Sequence, residues 1–221
     1  PQASKRMAAK PSKLLRYFRY ARKMERESSS TIANNGVIVC LVGFPGVGKL
    51  TIARALSRQI DATIVDNHWI NDPILRLLPK TDAQAVPDAV WSEVAKVRGA
   101  VLETIAAFVP PGTNFVFTYA GANEDPADRK AFEEYREVAV RRAARFIAVR
   151  LTCSEDELVR RIQSPERRGR KLMDPVEAIE NARHYSPLDP RIPDSLNLDV
   201  THLAPEAAAG LIFDHLNRTS R

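Results

Sequence analysis

The sequence predicts an α/β domain in three layers, a five-stranded parallel sheet with helices on both faces. Three observations predict it. Short apolar runs rich in β-branched residues recur along the chain, and each is followed by a segment whose apolar residues fall at helical spacing. The first such pair is joined by a glycine-rich turn that ends in a lysine, Gly43-Phe-Pro-Gly-Val-Gly-Lys49. No internal repeat interrupts the alternation, and 221 residues, 44% of them hydrophobic, suffice for one buried core without needing two.

Taken in order, Gly36-Val-Ile-Val-Cys-Leu-Val-Gly43 is a near-continuous apolar run, the mark of a strand buried on both faces. After the turn, Leu50 to Arg58 places Ile52 and Leu56 four apart on one helical face. A short strand over Ala62 to Asp66 leads to a helix around Ile70 to Leu78, and a second helical stretch runs from about Val90 to Val109. Pro110, Pro111 and Gly112 stop it before a third strand, Asn114 to Tyr119. A charged helix around Pro126 to Arg145 precedes a fourth strand, Phe146 to Leu151, and Glu155 to Ile162 is a short helix. The basic run Pro165 to Lys171 follows, then a helix from Pro175 to Tyr185, a proline-rich link, and a last strand, Leu196 to Val200. Pro205 suits the first turn of a terminal helix in which Ile212 and Leu216 share a face.

Composition narrows the function classes. No stretch approaches the ~20 apolar residues of a membrane span, and no signal-peptide core stands near the start, so a soluble cytoplasmic protein is expected. Cys40 and Cys153 each lie in apolar strand-like runs, which predicts buried reduced thiols, and no residue cluster suggests a bound metal. The net charge of +6 is unevenly distributed: residues 1–30 hold nine Lys/Arg and two Glu, which leaves 24 basic against 25 acidic residues elsewhere. Residues 1–34 therefore form a basic arm, and residues 35–221 a nearly neutral domain for which nucleic acid is not the expected partner. The arm suits either a segment outside the fold or a contact for an acidic surface, and its acid-poor pattern also matches an organelle transit peptide.

The chemistry centres on Gly43, Phe44, Pro45, Gly46, Val47, Gly48, Lys49, Leu50 and Thr51. Glycines at this density let backbone N–H groups wrap an anion, the following helix adds the positive end of its dipole, and Lys49 reaches the phosphates as a mobile charge. Leu50 occupies the place where a magnesium-binding hydroxyl commonly stands. Asp66, between a strand and a helix, suits either an N-cap or a carboxyl that orients a reacting hydroxyl. His68 is a substrate-binding candidate beside the plainer reading of a structural histidine. Arg160, Arg161, Arg167, Arg168, Arg170 and Lys171 form a second basic cluster, suited to a phosphoryl group in transfer or to solvent.

The loop GFPGVGKLT resembles that of the nucleoside monophosphate kinase superfamily, in which adenylate kinases read G-K-G-T and likewise place Thr one position late; Thr51 matches that Thr. Over residues 36–219 the chain is similar to small-molecule kinases of that group, such as shikimate kinase, gluconate kinase and chloramphenicol phosphotransferase. The resemblance implies strand order 2-3-1-4-5 and a lid around residues 163–174. It also implies phosphoryl transfer from ATP to a small-molecule hydroxyl, with Mg2+ held mainly by ATP oxygens and water. Lys49, Asp66, Arg167 and Arg168 would then be catalytic, Arg161 would join the loop in holding ATP, and Asp66, His68 and Arg98 would meet the acceptor. Thr201 to Pro205 would pack against adenine. Tyr119-Ala-Gly-Ala-Asn-Glu-Asp125 lacks the acid that adenylate kinases place at the third strand's end, which counts against a nucleoside monophosphate acceptor. A contrasting function class is a regulatory ATPase that uses the arm for nucleic acid or a protein partner.

Overall fold

The computed structural model describes residues 35–78, 86–164 and 175–219. The expected basic arm, and Arg167, Arg168, Arg170 and Lys171 of the expected lid, lie outside them. Five parallel strands, β1 (Val37–Val42), β2 (Ala62–Val65), β3 (Asn114–Tyr119), β4 (Arg145–Thr152) and β5 (Leu196–Asp199), form one sheet in the order β2-β3-β1-β4-β5. Seven helices are described: α1 (Lys49–Ile60), α2 (Asn67–Leu75), α3 (Asp88–Phe108), α4 (Pro126–Arg141), α5 (Glu155–Ile162), α6 (Pro175–His184) and α7 (Pro205–Arg218). None is long and apolar enough to cross a membrane.

The β-branched run of β1 is explained by burial on both sides. Ile38, Cys40 and Val42 enter a cluster with Phe117, Phe132 and Tyr135 under α3 and α4, while Val39 and Leu41 enter another with Leu56, Ile147 and Ile212 under α1 and α7. All five of these β1 side chains are 0% exposed. Asn114 joins three elements, since its Oδ1 accepts from the Val37 N–H at 2.9 Å and its Nδ2 donates to the Ile60 carbonyl at 2.7 Å. The double-proline end of α3 leaves carbonyls that no helix can satisfy. Arg142 satisfies them, its guanidinium donating to Ile105, Val109, Pro110 and Pro111 while it lies 5.4 Å from the Phe115 ring centroid.

Three expectations are corrected. Helix α2 starts at Asn67, ahead of Ile70, because Asp66 takes the N-cap position and its carbonyl accepts from the Trp69 N–H at 2.8 Å. Helix α4 ends at Arg141 instead of Arg145: Ala143 turns to φ +49°, and the N–H groups of Ala144 and Ala143 bond back to Ala139 and Val140. That is the Schellman stop normally marked by glycine, here built on alanine. Cys40 is buried, and burial pushes its thiol well above its ordinary pKa, whereas Cys153 is only half-buried; both are free.

Candidate phosphate and acceptor site

The chain leaves β1 towards β2 on one side of the sheet and leaves β3 towards β4 on the other, so a crevice opens where the C-terminal ends of β1 and β3 part. The glycine turn occupies it. Gly46 and Gly48 hold φ of +103° and +104°, a backbone that side chains disfavour. Gly43 is needed for closeness: a Cβ there would stand 2.7 Å from the Leu151 carbonyl. Its N–H donates to the Tyr119 carbonyl at 3.2 Å, and the Val47 side chain, 2% exposed, anchors the turn in the core. A helix leaves its first N–H groups without intrahelical acceptors, and Gly48 at the N-cap of α1 has no side chain to cap them. The Lys49 ammonium folds back over the turn and donates to the carbonyls of Gly43 and, at 2.9 Å, of Phe44. A cation therefore already sits in the glycine cradle, which fits this stretch for a polyphosphate.

A cleft of about 1190 Å³ extends from the turn. Pro45 to Thr51, Asp66, His68 and Arg161 all line it, so these predicted residues share one space. Asp66 is buried, at 7% exposure, and makes no side-chain cap bond to α2. Its Oδ1 instead accepts from the Thr118 hydroxyl at 2.7 Å, and that hydroxyl in turn accepts from the Asn67 N–H at 3.0 Å. Thr118, missed in the sequence because it reads as one more strand residue, thus fixes Asp66 at the strand end. His68 pairs through Nδ1 with Asp72 Oδ1 at 3.0 Å. Burial works against the Asp72 charge, but hydrogen bonds from His68 and Arg76 prevail and hold its carboxyl below the usual pKa.

Arg161 closes the opposite wall. Its Nε donates to Glu157 at 2.5 Å, and its two terminal nitrogens donate to the carbonyls of Val47 at 2.8 Å and Val200 at 2.7 Å. Glu157, gripped by a bidentate Arg160 and by Arg161, titrates at about 2, with the Arg160 hydrogen bond the largest cause. Thr201 to Pro205 line the same end of the cleft.

Not every candidate converges. Arg98 does not line the cleft; it reaches from α3 to Glu134 on α4, with an Nε to Oε2 distance of 2.6 Å. Phe44 faces a separate hollow of about 160 Å³ with Leu151 and Cys153. Conversely, Asn71, Asp72 and Trp91 line the main cleft without having been singled out. The signal for the first two was present as helical spacing from His68, but in polar residues, where periodicity is seldom sought.

The family model described as an AAA domain matches residues 39–182, more than half of the chain. The chain belongs to the AAA-domain family. The matched span of this AAA domain holds the glycine turn, Asp66 and Arg161. A comparison with proteins of curated function finds no significant match. Among solved structures, the AAA domain is similar to a provisionally assigned kinase of Chloroflexus aurantiacus at TM-score 0.60 and 18% identity, covering 85% of this chain and 99% of that one. It is similar to thymidylate kinase of Candida albicans at TM-score 0.54 and 12% identity, covering 84% and 93%. A third is the APS kinase of Mycobacterium tuberculosis, solved with AMPPNP and APS, at TM-score 0.52 and 17% identity, covering 83% and 98%. At these identities the likeness is one of fold, and the fold is that of the P-loop kinases.

Proposed function

We propose that this AAA domain is a phosphotransferase that moves the terminal phosphoryl group of ATP to a hydroxyl of a small molecule. One observation carries the reading: Lys49 and Asp66 line the same cleft, so a phosphate cradle and an anchored acidic side chain meet in one space. The kinases that share the fold support the same class.

In this reading the amides of Gly46 and of Gly48 to Thr51 and the Lys49 ammonium hold the phosphates, while the Val47 N–H bonds within the turn to Phe44 and Arg161 buttresses it from behind. Asp66, immobilised by Thr118, orients the acceptor hydroxyl and takes up its proton or shares it. Arg167 and Arg168 are proposed as lid cations for the charge that develops in transfer. When bound, ATP would supply the phosphoryl group and Mg2+ would neutralise its charge. Leu50 offers that ion no hydroxyl, so phosphate oxygens and water are its proposed main ligands. Thr201 to Pro205 form the proposed seat of the base, at the end of the cleft away from α2.

The test follows ADP release from ATP and magnesium across a metabolite library. Acceptor-dependent release is expected, and Lys49→Ala should lower it about 10³-fold without lowering the melting temperature. Near-normal turnover in that variant would remove the loop from the mechanism. ADP release that ignores every acceptor would instead indicate a regulatory ATPase.

A further inference from the structure

Resting on the phosphotransferase reading, we infer that the acceptor is a hydroxyl compound without an anionic group, neutral or amine-bearing, seated between the polar stripe of α2 and the ring of Trp91. The stripe is set by helix geometry. His68, Asn71, Asp72 and Leu75 are spaced i, i+3, i+4 and i+7 and all line the cleft, while Ile70, 1% exposed, turns into the core. Trp91, in the first turn of α3, lines the same region and remains 44% exposed. An uncovered indole offers a flat apolar face to a ring and an attractive one to an ammonium group.

The charges set the sign of the ligand. Among the described residues, the Lys and Arg side chains that line the cleft are Lys49, Arg54, Arg160 and Arg161, on the turn, α1 and α5. Arg54 stands one helical turn before Arg58, which pairs with Glu206 of α7 at 3.7 Å, so it belongs to the face of α1 directed away from α2. On the α2 side, His68 is engaged by Asp72, Arg76 by the same carboxylate at 2.8 Å, and Arg98 by Glu134; neither arginine lines the cleft. What this wall presents is Asp66, the His68–Asp72 pair, the amides of Asn67 and Asn71, Leu75 and Trp91. A carboxylate or phosphate on the acceptor would face the Asp66 carboxylate, and with Asp72 already paired to His68 and Arg76 it would find no uncommitted partner cation among these described α2 and α3 side chains. Hydroxyl and ammonium groups would find acceptors in Asp66 and in the side-chain carbonyls of Asn67 and Asn71.

Trp69, 61% exposed, lies outside the cleft lining, and the chain has two tryptophans, so Trp69→Phe leaves Trp91 as the sole indole emitter. Full-length Trp69→Phe protein is titrated with pyranose, cyclitol and nucleoside skeletons, each as the neutral, amino, carboxylate and phosphate derivative, while ADP release is measured in parallel. The expected result is a shift of Trp91 emission by a neutral or amino member, at about tenfold lower concentration than by its carboxylate or phosphate counterpart. Tighter binding of an anionic member, or no shift by any member, overturns the inference. The two readings fail separately. ADP release favouring an anionic acceptor refutes this inference and leaves the phosphotransferase standing, whereas a Trp91 shift by neutral members without ADP release from any acceptor refutes the phosphotransferase and leaves a seat for a neutral ligand beside Trp91.

Discussion

At the β1 end of the cleft the lining is a backbone turn shaped by Gly46 and Gly48, with one lysine laid over its carbonyls; at the β2 end the lining is side chains of α2 and α3. The two ends carry different kinds of information. Backbone that must hold positive φ demands glycine at set positions, so the phosphate end leaves a spaced imprint in the sequence. A wall made of side chains accepts many residue types on the same helix, and its chemistry can change while the scaffold stays as it is. Under the proposed function, the phosphate end would be the part set by backbone, and the acceptor end the part set by this chain's own side chains.

The contrast is sharpest in Asp66→Asn. Placed beside Lys49→Ala, it should lower kcat about 10²-fold and leave ATP affinity within about twofold, as read by steady-state kinetics and calorimetric titration. A matching loss of ATP affinity would mean that the two ends do not act separately. A smaller effect is expected at Thr118→Val, which strips the buried Asp66 of its hydroxyl donor. Unfolding free energy should fall by about 1–2 kcal/mol, and kcat should fall while the KM for ATP holds. Recovery of both in Thr118→Ser, measured by urea unfolding and kinetics, separates lost hydrogen bonding from lost packing.

The smallest effect lies on the loop side and depends on pH. Glu157 titrates near 2 in the folded protein against an ordinary 4.5, so its ion pairs add stability above the ordinary value, and that stability is lost as pH falls towards about 2. Glu157→Gln should therefore melt about 1–3 °C below the parent near neutral pH, with the gap closing between pH 4.5 and 2 in thermal scans. A gap that persists at the acidic end would remove charge as its cause.

The same division explains what could be foreseen. The sheet order follows from the resemblance carried by GFPGVGKLT, and the strands were legible because burial on both faces forces continuous apolar runs such as Val37 to Val42. The ends of helices were less so. Nothing at Ala143 advertises a left-handed residue, and Asp66 initiates α2 through its position without making a side-chain cap bond. Lys49, picked out by motif, and Asp66, picked out by strand-end placement, both line the cleft. Arg98 was placed by analogy, but in this chain Glu134 across the α3–α4 interface holds it outside the cleft lining. Asp72 and Trp91 escaped because a polar stripe on a helix and a single aromatic are ordinary surface features until a cleft is seen beside them.

One guanidinium binds together parts of the chain that are far apart in sequence. Arg161 clasps the carbonyl of Val47 in the glycine turn and that of Val200 just ahead of Thr201 to Pro205, while Glu157 steadies it from its own helix. Positions 47, 161 and 200 therefore behave as a single mechanical joint. If the proposed nucleotide lies between the turn and Thr201 to Pro205, loosening this joint would slacken the grip on both of its ends at once, and a substitution there would masquerade as a defect in either one.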